Sequence, residues 1–183
     1  HDSVNVGRRF TVTGASDVLE ISGVMSDEAR AAGSFTINPY SFEKSGAGQL
    51  IISGSGNSYT GGTRIQSGTL TVNNSAGSGT GTGAVTVLST GILGGSGSVS
   101  GAVTVTNGGS IQGGSGSTGT SLTLSGDLTL QSNSTIALSL GTGGAHSTLA
   151  RTGDGIWTFS GVQKFMVLDP GNLSDQEVFA GVI

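Results

Sequence analysis

The chain has 183 residues, enough for one domain or two small ones, with 35 glycines, two prolines and no cysteine. A net charge of −4 and only seven scattered basic residues give no patch for nucleic acid or an acidic membrane surface, and the missing cysteine removes disulfides, thiol catalysis and cysteine metal sites. Apolar residues make up 34% and charged residues 10%, which is not the balance of a disordered chain, and no stretch approaches the ~20 apolar residues of a membrane span.

The chain opens at His1-Asp2 instead of Met, which fits a leader that has been removed. Short alternating runs then predict strands at Phe10-Thr11-Val12, Val18-Leu19-Glu20-Ile21 and Phe35-Thr36-Ile37. Between the last two, residues 26–32 form the only helix candidate. Ser26 is placed to cap it and two acids follow in its first turn, where the dipole favours them. Such a helix would cover an open sheet edge. Further strands follow at Gln49-Leu50-Ile51-Ile52, Thr69-Leu70-Thr71-Val72, Ala84-Val85-Thr86-Val87, Ala102-Val103-Thr104-Val105, Leu122-Thr123-Leu124 and Leu128-Thr129-Leu130. After Ser134 the strands become bulkier, with Trp157, Phe159, Phe165, Met166 and Phe179, which suggests a closing β cap. Domain organisation is therefore read as coils with an N-terminal cap over residues 1–133 and a C-terminal β cap over 134–183, continuous with them.

The strands repeat. Gly83-Ala84-Val85-Thr86-Val87 recurs letter for letter 18 residues later, and Ser121-Leu122-Thr123-Leu124 comes 19 residues after Ala102. A second phase runs beside it in Gly68-Thr69-Leu70, Gly91-Ile92-Leu93 and Gly109-Ser110-Ile111. A unit of about twenty residues built as strand, turn, strand is one coil of a β-solenoid, and no coil can bury its inward face alone. Roughly nine coils at ~4.8 Å would make a rod on the order of 40 Å long.

From Lys44 to Val72 the chain carries Lys44, Gly46, Gly48, Leu50, Asn57, Tyr59, Gly61, Gly62, Thr63, Ile65, Gly68, Thr69, Leu70 and Val72 in fixed spacing. This resembles the autotransporter-associated β-strand repeat of bacterial passenger domains. The resemblance implies an all-β chain wound as a right-handed parallel β-helix, secreted from or displayed on the outer membrane of a Gram-negative bacterium. It implies adhesion or a stalk role, and it transfers no catalytic residue. This chain holds one clean copy of the long motif and no translocating barrel.

Candidate sites are few. Gly114-Ser115-Gly116-Ser117-Thr118-Gly119 has dinucleotide-loop spacing but leads into a strand, so its glycines read as coil corners. The turns at Gly94 and Gly113 lack the acids that calcium needs, and His1 and His146 have no metal-ligand spacing, so neither metal nor cofactor is expected. His146 reads as an exposed loop residue. Asp154, Asp169 and Asp175 lie in the C-terminal region, where paired carboxylates would permit acid–base hydrolysis. Asp-Gly and Asp-Pro-Gly are also ordinary turns. Thr86, Thr104 and Thr123 are expected to align outward as a ladder, with Tyr40 and Tyr59 as stacking planes for a sugar.

Two functions follow as expectations. The first is a surface module binding host or environmental glycans or glycoproteins, not itself membrane-spanning and able to self-associate through its open ends. The second is a secreted hydrolase of mucin-like glycoprotein or polysaccharide, working through Asp154 with Asp169 or Asp175.

Overall fold

A computed structural model of the chain describes residues 6–27, 39–141 and 145–168, and every regular element among them is a β-strand. The first coil holds β1 (Val6–Thr11) and β2 (Val18–Ile21), and the second holds β3 (Tyr40–Ser45) and β4 (Gln49–Ile52). One long strand, β5 (Thr63–Val72), makes most of the third, and β6 (Val85–Gly94) with β7 (Ser98–Val99) makes the fourth. The fifth contains β8 (Val103–Val105), β9 (Ser110–Gln112) and β10 (Ser121–Leu124). The sixth contains β11 (Leu128–Leu130), β12 (Thr135–Ser139) and β13 (Thr148–Arg151), and β14 (Trp157–Phe159) and β15 (Lys164–Leu168) belong to the seventh.

Every strand pairing is parallel, and strands pair between coils. The first face runs β1-β3-β5-β6-β8-β11-β14. The second runs β2-β4-β5-β6-β9-β12-β15, and the third is β7-β10-β13. The fold is a parallel β-helix. Seven coils lie among the described residues instead of nine, a stack about 30 Å long at the usual strand spacing.

Alternation in sequence becomes in–out alternation in space. Val85, Val103 and Leu128 are register partners on the first face, and Leu50, Leu70, Leu93, Ile111 and Ile136 follow one another on the second. All eight are buried, each contributing about 1.5–3 kcal/mol by leaving water. At the N-terminal end the interior widens to hold rings. Phe10 stacks on Phe42 at 4.9 Å between centroids, and Phe42 on Tyr59 at 6.2 Å.

One corner is built from glycine alone. A Cβ on Gly101 would lie 1.9 Å from the carbonyl oxygen of Gly83, one on Gly83 2.4 Å from the nitrogen of Gly62, and one on Gly155 2.4 Å from the oxygen of Gly126. Backbone therefore sits directly on backbone from coil to coil. A second corner is pinned by amides. Asn57 accepts from the Met25 N–H at 2.7 Å and donates to the carbonyls of Gly54 (3.2 Å) and Gly79 (2.8 Å), so one side chain ties three coils.

Several expectations change here. The second-phase repeat holds, with Leu70 opposite Leu93 and Leu93 opposite Ile111. The 19-residue step to Leu122 does not: Leu122-Thr123-Leu124 lies on the third face, and Val103-Thr104-Val105 is followed on its own face by Leu128-Thr129-Leu130. The helix expected over 26–32 lies mostly beyond the described residues. Ser26 and Asp27 have irregular backbone, and 28–32 fall outside the described residues. Asp27 turns its carboxylate to the start of β3 and to the segment before β5, accepting from the N–H of Tyr40 (2.8 Å), the N–H of Thr60 (3.0 Å) and Thr60 Oγ1 (2.7 Å). The Phe35 strand also lies outside the described residues.

Candidate functional site

The outward side of the first face is a single column of register partners: Arg9, Glu43, Arg64, Thr86, Thr104, Thr129 and Thr158. Strand alternation puts these residues outside because their neighbours, such as Val85 and Val87, are buried. The threonine ladder thus exists with Thr86 and Thr104 in line, but Thr129 and Thr158 continue it. Thr123 is on the third face, opposite Ser98 and Ala150.

The column ends in charge. Arg9 Nε lies 2.8 Å from Glu43 Oε1, a largely exposed pair of small net worth. Arg64, the next residue up, is exposed and makes no hydrogen bond or ion pair among the described residues. Beside them three hollows adjoin, of about 460, 340 and 320 Å³, and Ser41 lines all three. The largest runs from Ser41 and Glu43 over Gly61 and Gly62 to Arg64 and Thr86. Glycine lets the coils close up along it: a Cβ on Gly61 would strike the Tyr40 carbonyl at 2.3 Å, and Gly62 has φ +86°. The second is more apolar, walled by Phe10, Met25, Tyr40 and Tyr59 under Arg8. Volumes of this size are those of small-ligand pockets.

The two tyrosines part company. Tyr40 is half-buried at the rim, with the Arg8 guanidinium 5.0 Å from its ring centroid and an Arg8 nitrogen donating to its hydroxyl at 2.9 Å. Tyr59 is 1% exposed, its ring stacked on Phe42 and its hydroxyl 2.6 Å from Thr63 Oγ1. A ring so placed has no free face for a sugar, and it serves as core. Burial pushes its phenol up, against the pull of the Thr63 bond. Burial also acts to raise the Asp27 carboxyl, but the bonds from Thr60 and Tyr40 outweigh it and hold the group below its usual value.

Among the three aspartates proposed for hydrolysis, only Asp154 is described. It lies exposed in the turn after β13, beside Gly153 at φ +81°. Asp169 and Asp175 lie outside the described residues. Asp127, one coil back at the same corner, accepts from the Ile156 N–H at 2.7 Å. His146 corrects the expectation of an exposed loop: it is 5% exposed, and its Nδ1 accepts from the Gly141 N–H at 3.2 Å. Among the described residues no three His, Asp or Glu come together to hold a metal ion. The glycine-rich loop from Gly114 does lead into β10, held by Thr120 Oγ1 bonded to Ser117 O at 2.6 Å and Ser115 N at 3.0 Å.

Arg64 and Glu43 escaped the sequence reading because single charges about one coil apart form no visible cluster, and Ser41 because a lone serine carries no signal. Their signal was positional: Arg64 precedes Ile65 as Thr86 precedes Val87, so both share the outward register.

No helix among the described residues is long and apolar enough to cross a membrane, which says nothing of a β-barrel. No curated protein and no solved structure matches the chain. Residues 42–72, which run from within β3 to the end of β5 and hold Glu43 and Arg64 of this groove's rim, match the family model described as passenger-associated-transport-repeat. That stretch is thus a repeat of the autotransporter-passenger kind, the mark of a secreted or surface-displayed bacterial module.

Proposed function

We propose that the chain is a stiff module displayed on, or released from, a Gram-negative cell surface, where it binds extracellular glycan or glycoprotein. The observation that carries this reading is the outward column of the first face, where threonine hydroxyls lead into hollows lined by Ser41, Thr60, Arg64 and the rim ring of Tyr40. Hydroxyl rows and an accessible aromatic edge suit sugars, which offer hydroxyl groups and apolar ring faces. Self-association through the coil ends belongs to the same proposal, since β1 and β14 each have one paired edge among the described residues and a free parallel edge would offer unpaired N–H and C=O groups.

Immobilised protein tested on a glycan array and on mucin should bind at least one glycan class. Thr104→Val, which keeps the shape and removes the hydroxyl, should weaken that binding while leaving the fold intact by circular dichroism. Silence across the panel would leave only the spacer role. The hydrolase alternative rests on Asp154 with Asp169 or Asp175. Cleavage of mucin or acidic polysaccharide that Asp154→Asn leaves unchanged would remove that residue from any mechanism.

A further inference from the structure

We infer that the groove around Ser41 selects sugars that carry an anionic group, a carboxylate or a sulfate ester, with Arg64 as its partner. This rests on the glycan reading above and narrows it. Three of the seven basic residues of a chain of net charge −4 gather at this one place, Arg8, Arg9 and Arg64, against the acids Glu43 and Asp27. Among the described residues the local balance is positive on a negative molecule.

The acids and two of the arginines are already engaged. Glu43 is paired with Arg9, Asp27 accepts three hydrogen bonds, and Arg8 lies over Tyr40 and donates to its hydroxyl. Arg64 alone has no partner among the described residues, and it borders the largest hollow. A guanidinium is a planar fork of donors that matches a carboxylate or a sulfate oxygen pair. Gly61 and Gly62 line the same hollow and bring no side chain to it, which leaves room there for a ring. Hydroxyl donors stand on both sides, at Ser41 on one and Thr86 on the other, while the Thr60 hydroxyl already donates to Asp27. A neutral sugar would use those hydroxyls and leave the guanidinium idle. Nucleic acid asks for many phosphate contacts, and three arginines on an acidic chain do not supply them.

The test is calorimetric titration with trigalacturonate, its methyl ester, sulfated maltotriose and plain maltotriose, at low and at moderate salt. Trigalacturonate or sulfated maltotriose should bind at least about tenfold more tightly than its uncharged counterpart, and the two charged sugars tell which anion is preferred. Arg64→Ala should abolish that preference, whereas Lys164→Gln, which removes the same charge from distant β15, should keep it. Glu43→Gln should tighten binding, since it removes a competing carboxylate from the rim. Equal affinity for charged and neutral sugars, or equal loss in Arg64→Ala and Lys164→Gln, would overturn the inference and leave the glycan reading standing. Failure to bind any of the four, together with silence on the glycan array, would sink both.

Discussion

Lys44 is fully buried, and its ammonium donates to the carbonyls of Ser45 (2.9 Å), Gly46 (2.8 Å) and Ser67 (3.1 Å). No carboxylate meets it among the described residues. Burial pushes its pKa below the usual lysine value, while three carbonyl oxygens hold the proton in place. The chain turns from the first face to the second between β3 and β4 at Gly46, where φ is +80°, and Ser67 belongs to the next coil. The ammonium therefore fastens a turn to the coil stacked on it. Lys44→Ala removes the donor and leaves a cavity, and should cost about 3 kcal/mol in chemical denaturation. Lys44→Met restores the packing alone and should recover part of that loss. Exposure gives a separate readout, since Lys164 is the only other lysine and lies open on β15. Under acetylation of the native protein, peptide mapping should show Lys164 modified on the order of tenfold or more faster than Lys44. Equal rates would mean that the cage opens readily.

At the scale of the element, the corner where glycine stacks on glycine fixes how closely coils approach. Gly101→Ala would place a methyl group 1.9 Å from the Gly83 oxygen, against the backbone of Thr82 and Gly83 with no flexible side chain to yield. We expect a loss of about 3 kcal/mol or failure to fold. Gly23→Ala, where a Cβ meets nothing within 4 Å, should stay within about 0.5 kcal/mol of the parent. Similar midpoints for the two variants would mean that the corner relaxes freely.

The same corner shows what the sequence made legible. Gly83-Ala84-Val85-Thr86-Val87 and its copy at Gly101 state the strand, the inward pair and the corner together, and the structure stacks them in register. Face assignment was not legible. Leu122-Thr123-Leu124 and Leu128-Thr129-Leu130 have the same period-2 pattern, and only pairing partners tell the third face from the first. Side-chain fate at the motif positions was also hidden. Lys44 and Tyr59 carry polar tips that read as exposed, yet a carbonyl cage and a threonine hydroxyl satisfy them inside. The groove stayed invisible because Arg9, Glu43 and Arg64 come together only once the coils stack.

Across the whole molecule, burial forms a gradient. From β3 to β12 the inward residues are almost wholly covered, whereas in the seventh coil Phe159 is 51% exposed and Phe165 62%. At the other end, Val18 and Leu19 of β2 are exposed as well. A stack in which each coil touches only its neighbours has a stability close to a sum of coil and interface terms, so outer coils open without the middle. Hydrogen exchange should therefore be slowest in β5, β6, β8 and β11, each paired on both sides, and fastest in β14 and β15, each paired on one side only among the described residues. Gly101→Ala should speed exchange in the coils it separates and leave β14 and β15 nearly unchanged. One common opening rate for all coils would instead make the chain a single cooperative unit, and a groove on its second and third coils could not then be loosened apart from the rest.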